Sequence, residues 1–309
     1  MEVSVIRAGM QTTVQDLGRH GHLAEGVPVG GAADPFALRI ANLLVGNAED
    51  SPALELTLIG PELEFREAAW IAVCGARFEG VPAWRPLRIE AGGRIRFGRR
   101  LQGCRAYLSI SGGFDVEPVM GGRGTLLSAG VGGFHGRALR DGDVLRSVPS
   151  LRHLSGHWSI DERVLPHYST EPTVRVIPGA HAAEFGEELY SSRFGVTAKS
   201  SRMGLRLEGP RLVRRSGADL VSTAVSPGTI QVPPDGNPIV LIADAQTLGG
   251  YPRIAHVAAV DIPLLAQLAP GDGVRFSRTT VGEAHALART EGRRIALLHQ
   301  GLAEKIHPE

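Results

Sequence analysis

Lysine is almost missing from this chain. Lys199 and Lys305 are the only two among 33 basic residues, so arginine carries the positive charge. Base composition produces such a bias, and so does a preference for forked contacts to carboxylate or phosphate. Cysteine is equally scarce: Cys74 and Cys104 show no CxxC spacing. Both sit in apolar, strand-like runs and read as buried free thiols, which fits a reducing cytoplasm. Charge of one sign is not in excess. The formal net charge of +1 supplies no overall field for nucleic acid or an anionic membrane. No apolar run approaches the ~18 residues needed to span a bilayer, and Glu2 and Arg7 interrupt the stretch where a secretory signal would lie. The expectation is a cytoplasmic protein. GxxxxGK[ST], HExxH, paired CxxC and GxSxG are all absent, which disfavours P-loop, zincin, zinc-ribbon and nucleophile-elbow chemistry.

What is present points to strands and turns. The 309 residues suffice for one large domain or two ordinary ones, and 43% hydrophobic with 21% charged residues describes a soluble globular chain. Forty glycines and 20 prolines, dispersed between short apolar runs, indicate many tight turns and a β-rich architecture.

Residues 2–8 alternate polar and apolar and read as a strand. The stretch from Thr12 to Pro35 is expected to be too glycine-rich for regular structure. It ends in a helix with Asp34 as N-cap, Pro35 at the first position, Phe36, Ile40, Leu43 and Leu44 on one face, and Gly46 as the stop. Strands are expected at 53–58, 70–76, 94–99, 104–110 and 143–148, then a linker over 151–170 containing His153, His157 and His167. A second set follows at 173–179, 205–209, 229–234, 239–244, 253–260 and 273–279, with short helices around 182–190 and 261–268. Another helix opens with the capping box Thr280-Val-Gly-Glu283. Leu56-Thr-Leu-Ile-Gly60-Pro61 echoes Leu205-Arg-Leu-Glu-Gly209-Pro210, and Ile95-Arg96-Phe97 echoes Val274-Arg275-Phe276 in the same order. The repeats suggest two related β units, here bounded at 1–160 and 161–309.

Three polar, glycine-rich segments are where chemistry can reside. The first holds Gln15, Asp16, Arg19, His20 and His22, a set able to converge on a small polar ligand. A lone HxH lacks a third ligand nearby, so no bound metal is expected. The second carries Gly121, Gly122, Arg123, Gly124 and Thr125, then Gly130 to Arg137. Successive N–H groups in such a loop form an anion-binding nest, or the glycines simply satisfy turn geometry. The third runs from Gln231 through Asn237 to Asp244, Gln246, Thr247 and Tyr251. A carboxylate, an amide, a hydroxyl and a phenol on one rim suit an amide-containing small molecule. Asp244 either accepts a proton and fixes a substrate N–H, or caps backbone donors in an Asx turn.

These same segments resemble a known family. TTVQDLGRHGH, GGAADPFALRIANLLVGN, LELTLIGP, GVGGFHGR, RMGLRLEGP and QVPPDGNPIVLIADAQTLGGYPRIA are similar to allophanate hydrolase subunit 2, also called the biotin-dependent carboxyltransferase family, from about Val3 to Phe276. Its members include the C subunit of 5-oxoprolinase and the KipA protein. The resemblance implies a mainly β fold of two tandem cyclophilin-like barrels with a few short helices. It implies two partners, the KipI-like B subunit of 5-oxoprolinase (the allophanate hydrolase subunit 1 type) and the A subunit of the same enzyme. Together they would form an ATP-dependent amide hydrolase opening 5-oxo-L-proline to L-glutamate, active only in complex. On that reading Asp244, Asp16 and His20 are the catalytic candidates. Arg19, Gln231, Gln246, Thr247, Tyr251 and Arg202 contact substrate, and Gly121, Gly122 and Thr125 contact ATP. The alternatives are a carboxyltransferase component of a urea carboxylase type of system, for which no AMKM biotinylation site is present, and a KipA-like regulator without catalysis. Two departures stand out: the family's usual GSxST is Gly121-Gly-Arg-Gly-Thr125 here, and SDRMG is Ser200-Ser-Arg-Met-Gly204.

Overall fold

Alternation along Glu2–Arg7 makes β1, with Val3 and Val5 turned inward and Glu2, Ser4 and Ile6 on the other face. The computed structural model describes residues 1–150, 152–154, 158–215 and 220–308, which leaves His157 of the expected linker outside the described residues. The chain segregates into two units. The first comprises Met1–His20, Gly30–Pro166 and Arg293–Glu309, the second Gly21–Val29 and His167–Gly292. A single division at 160/161 makes no allowance for the two exchanged segments.

In the first unit β1 is followed by β2 (Gln11–Gln15), α1 (Pro35–Leu44), β3 (Ala53–Thr57), β4 (Glu62–Phe65), β5 (Ala69–Phe78), β6 (Pro86–Ile89), β7 (Arg94–Arg96), β8 (Arg100–Ile110), β9 (Val144–Arg146) and β10 (Arg152–Leu154). A four-stranded sheet runs β7-β4-β1-β9 and a five-stranded sheet β2-β3-β8-β5-β6. Val3, Leu63 and Phe65 from one sheet, with Leu54, Ile71 and Leu108 from the other, belong to a single core. β2 corrects the expectation of no regular structure after residue 12: its pairing with β3, Gln11↔Thr57 through Gln15↔Ala53, ends before the glycine run begins.

The other face of the five-stranded sheet carries a buried polar row in register, Thr13↔Glu55↔Tyr107↔Cys74. Glu55 Oε2 accepts from the Tyr107 hydroxyl at 2.7 Å and from Ala33 N at 3.0 Å, and the same hydroxyl accepts from Asp34 N at 2.8 Å. Asp34 in turn caps α1, Oδ1 accepting from Ala37 N at 3.0 Å, as expected of an Asp-Pro start. Burial pushes the Tyr107 phenol and the Cys74 thiol well up, so both keep their protons. Cys74 and Cys104 are both buried, as the sequence suggests.

The second unit contains β11 (Thr173–Pro178), α2 (Glu188–Ser191), β12 (Phe194–Val196), β13 (Gly204–Glu208), β14 (Thr223–Ala224), β15 (Thr229–Gln231), β16 (Ile239–Leu241), β17 (Leu248–Gly249), β18 (Arg253–Val257), α3 (Ile262–Ala266) and β19 (Gly273–Arg278). Seven strands close a barrel in the order β11-β18-β15-β16-β13-β12-β19. The parallel pair Thr173↔Arg275 to Val176↔Arg278 joins its first and last strands, around Val174, Phe194, Leu205, Ile230, Val240 and Phe276. β15 stops at Gln231 because Pro233 and Pro234 cannot donate to a ladder. The helix expected over 182–190 is instead a 3₁₀ turn at Ala182–Glu184 and the single turn α2. The capping box forms as written: Thr280 N donates to Glu283 Oε2 at 2.9 Å and Glu283 N to Thr280 Oγ1 at 3.2 Å, opening α4 (Val281–Ala303). The closing strand β20 (Ile306–Pro308) pairs with β10 in the first unit.

The repeated Gly-Pro turns share a packing reason. A Cβ on Gly60 would lie 2.5 Å from Phe97 Cγ, and one on Gly209 2.7 Å from Phe194 Cδ1. In each unit only glycine lets the turn reach its phenylalanine.

Candidate functional site

In the first unit, β2 delivers the chain straight into the Asp16–His20 turn. Asp16 is 6% exposed, and its oxygens accept from Gly18 N at 2.8 Å and from Arg123 N. Arg19, only 1% exposed, donates through Nη2 to Gly124 O and through Nε to Val119 O at 3.5 Å. Among the described residues these carbonyls are its hydrogen-bond partners, and no carboxylate pairs with it. Gln15, fully buried, donates to Thr13 Oγ1 and Thr125 O, both at 3.0 Å, while its Oε1 has no hydrogen-bond partner among the described residues.

These side chains fix the second glycine segment. A Cβ at Gly122 would lie 2.9 Å from Arg19 Cβ, one at Gly124 2.8 Å from Asp16 Oδ1, and one at Gly132 2.7 Å from Arg19 Nη2. Gly122 and Gly124 therefore let the loop backbone lie close against Arg19 and Asp16. Thr125 N and Oγ1 both donate to Val14 O, at 2.8 and 2.9 Å, and Gly122 N donates to Val119 O at 3.2 Å. The N–H groups of Gly122, Arg123 and Thr125, which the sequence offers either to an anion-binding nest or to turn geometry, donate to protein acceptors. Gly121 sits exposed at the tip, between Met120 in the left-handed region (φ 53°) and Gly122. His135 adopts the same region (φ 55°), which is uncommon for a residue that carries a side chain. His20 is exposed beside this knot.

In the second unit the structure joins two residues that the sequence assigned separately. Arg202 Nε donates to Asp244 Oδ2 at 2.9 Å and Nη2 to Oδ1 at 3.0 Å, with both side chains 4% exposed. Asp244, the candidate for proton handling, and Arg202, the candidate for substrate contact, thus meet in one fork that engages both carboxylate oxygens. Gln231, 1% exposed, accepts at Oε1 from Gln246 Nε2 at 3.3 Å, and its own buried Nε2 has no hydrogen-bond partner among the described residues. Thr247 is half-buried and accepts at its carbonyl from Val225 N at 3.0 Å.

Tyr251, 45% exposed, lines a cleft of about 590 Å³ walled by the segment after the second Gly-Pro turn and by the Pro233–Gly236 loop. Among the described residues it is the only sequence-assigned site residue there. Arg211, Arg214 and Asp235 were missed, although the basic run Arg211-Leu-Val-Arg214-Arg215 beside a Gly-Pro turn was the signal. Arg214 pairs with Glu184. Asn237 N, donating at 3.1 Å, holds the Asp235 carboxyl below the usual range, helped by its side-chain amide and by the charges of Arg211 and Arg206. A cleft of about 570 Å³ flanks the first Gly-Pro turn as well, lined by Arg7, Met10, Ile59, Glu62 and Arg96 among others. Among the described residues no three His, Cys, Asp or Glu side chains gather as a metal site. No helix of the described residues is long and apolar enough to cross a membrane.

The chain is mainly β with one closed seven-stranded barrel among the described residues, and residues 25–278 match the family model "Carboxyltransferase domain, subdomain A and B". The chain belongs to that family. It is 40% identical over 317 residues to the C subunit of 5-oxoprolinase from Escherichia coli strain K12, covering 99% of both. It is 33% identical to the corresponding C subunit of Haemophilus influenzae, covering 93% of this chain and 94% of that one. The solved urea carboxylase of Kluyveromyces lactis superposes with a TM-score of 0.89 at 31% identity, over 100% of this chain and 30% of that one.

Proposed function

We propose that this chain belongs to an ATP-dependent 5-oxoprolinase that opens 5-oxo-L-proline to L-glutamate and turns over only with its B and A subunits. One observation carries the reading: end-to-end likeness, 99% of each chain, to a protein named as the C subunit of 5-oxoprolinase. In this reading Arg19 anchors the substrate carboxylate, because a buried guanidinium with carbonyl partners alone retains an unbalanced charge. His20, exposed next to it, handles the proton. Asp16 holds the loop rather than reacting, and Asp244 holds Arg202. ATP hydrolysis drives opening of the stable lactam.

The test is reconstitution of the purified chain with the B and A subunits, 5-oxoproline and ATP, followed by a glutamate assay. Glutamate is expected only from the complete mixture, and His20→Ala should slow it by about 100-fold, the scale of losing a proton-transfer group. A silent complete mixture overturns the proposal. A second reading, a carboxyltransferase component, is favoured by the urea carboxylase superposition. It requires a biotin carrier and a biotin carboxylase from other chains. Carboxylation of urea by such a mixture, with no glutamate from 5-oxoproline, would select it.

A further inference from the structure

Each unit carries a cleft beside its Gly-Pro turn, of 570 Å³ in the first and 590 Å³ in the second. Volumes of this order hold a ligand much larger than a five-membered lactam, within the ~300–1,000 Å³ of drug-sized sites. The two clefts differ in what faces them. The first offers Met10 and Ile59, each 57% exposed, and its aromatic, Phe97, is only 6% exposed. The second offers the Tyr251 side chain, 45% exposed, together with Arg211 and Arg214 in the same lining. A phenol at a cleft wall presents a π face to a planar ring, and arginine forks match phosphate oxygens in pairs. Arg214 is 19% exposed and steadied by Glu184, so it is set in place before a ligand arrives. Among the described residues Arg211 has no ion-pair partner, although it lies in the same wall. Asp235 is turned onto Asn237, and its carboxylate keeps acceptor capacity for hydroxyl donors. Val232 and Pro233 supply an apolar floor.

We propose that the second unit's cleft is a nucleoside phosphate site, with Tyr251 against the base, Asp235 accepting from the sugar hydroxyls, and Arg211 with Arg214 on the phosphates. The proposal deepens the 5-oxoprolinase reading and rests on it for the need of ATP, since the chain has no P-loop.

Equilibrium titration of the full chain, alone and in its reconstituted complex, with ATP, ADP, adenosine and inorganic tripolyphosphate tests it. Saturable binding of ATP and ADP is expected, with adenosine and tripolyphosphate each weaker by about tenfold or more, since each lacks one half of the recognition. Arg211→Ala and Tyr251→Ala should each weaken ATP by about tenfold, with Arg211→Lys recovering part of the loss, and Arg7→Ala in the sibling cleft should leave it unchanged. Circular dichroism and melting establish that each variant folds. No saturable ATP binding in either form, tripolyphosphate binding as tightly as ATP, or wild-type affinity in both alanine variants overturns the site. Glutamate formation without ATP at this cleft would reject the site and keep the function. Nucleotide binding with no glutamate would reject the function and keep the site.

Discussion

At the scale of single residues, Arg202 and Asp244 are each nearly inaccessible and each other's counterion. Removing Arg202 takes the counterion from the buried Asp244 carboxylate, and breaking such a pair costs about 3–5 kcal/mol. Arg202→Ala is therefore expected to lower the unfolding free energy measured in urea by that amount, whereas replacing both residues with apolar ones of similar volume should recover most of it. A variant that retains the wild-type midpoint would mean the fork contributes little to the fold. The residue types around Asp244 are legible in the sequence, but their pairing is not. Arg202 lies 42 positions earlier in the chain, and the β13–β16 ladder, with Gly204 opposite Leu241, together with the Asp244 N to Arg202 O bond beyond it, brings the two segments together. His20, Asp16 and Arg19 were likewise visible as a polar turn, yet nothing in their spacing told that two would be buried and one exposed.

At the scale of elements, the glycine loop and the β2 turn form one knot. Asp16 and Arg19 hold the loop's backbone, and Gly122 and Gly124 leave no space for side chains. Gly122→Ala sets a methyl 2.9–3.1 Å from the Cβ, N and Cα of Arg19, neighbours that cannot rotate away. The substitution is expected to destabilise the first unit by about 1–3 kcal/mol, the range for forced overpacking, read as a lowered melting temperature. Gly121→Ala meets nothing within 4 Å, yet its φ of 78° disfavours a side chain, so a smaller loss is expected. Elements announced by local chemistry were legible: the Asp34-Pro35 helix start and the Thr280–Glu283 box both formed bond for bond. Elements decided by pairing were not. Thr12 to Gln15 looked like the front of a loop because glycines follow, yet β3 recruits them as a strand. Apolar residues over 239–244 promised a longer strand than the three that pair.

For the whole molecule, the mainly β class followed from dispersed glycine and proline, while barrel closure through the parallel β11–β19 pair had no local sign. Each unit has its own apolar core. Neither is one uninterrupted stretch, since 21–29 counts with the barrel and 293–309 with the first unit. A cut between Pro166 and His167 therefore leaves the leading fragment without β20, the partner of β10, and without Arg294, whose guanidinium lies 4.8 Å from the Phe36 ring centroid. Residues 1–166 expressed alone should melt at a lower temperature than the first unit within the full chain, and adding 167–309 in trans should restore it. Equal melting in both cases would show the exchanged tail to be dispensable.

The same exchange governs where the molecule can be handled. A tag or fusion joined to the carboxyl end hangs from the unit that begins the chain, so labels at the two extremities both report on, and both burden, the two-sheet half. A probe meant for the barrel belongs in its own exposed turns.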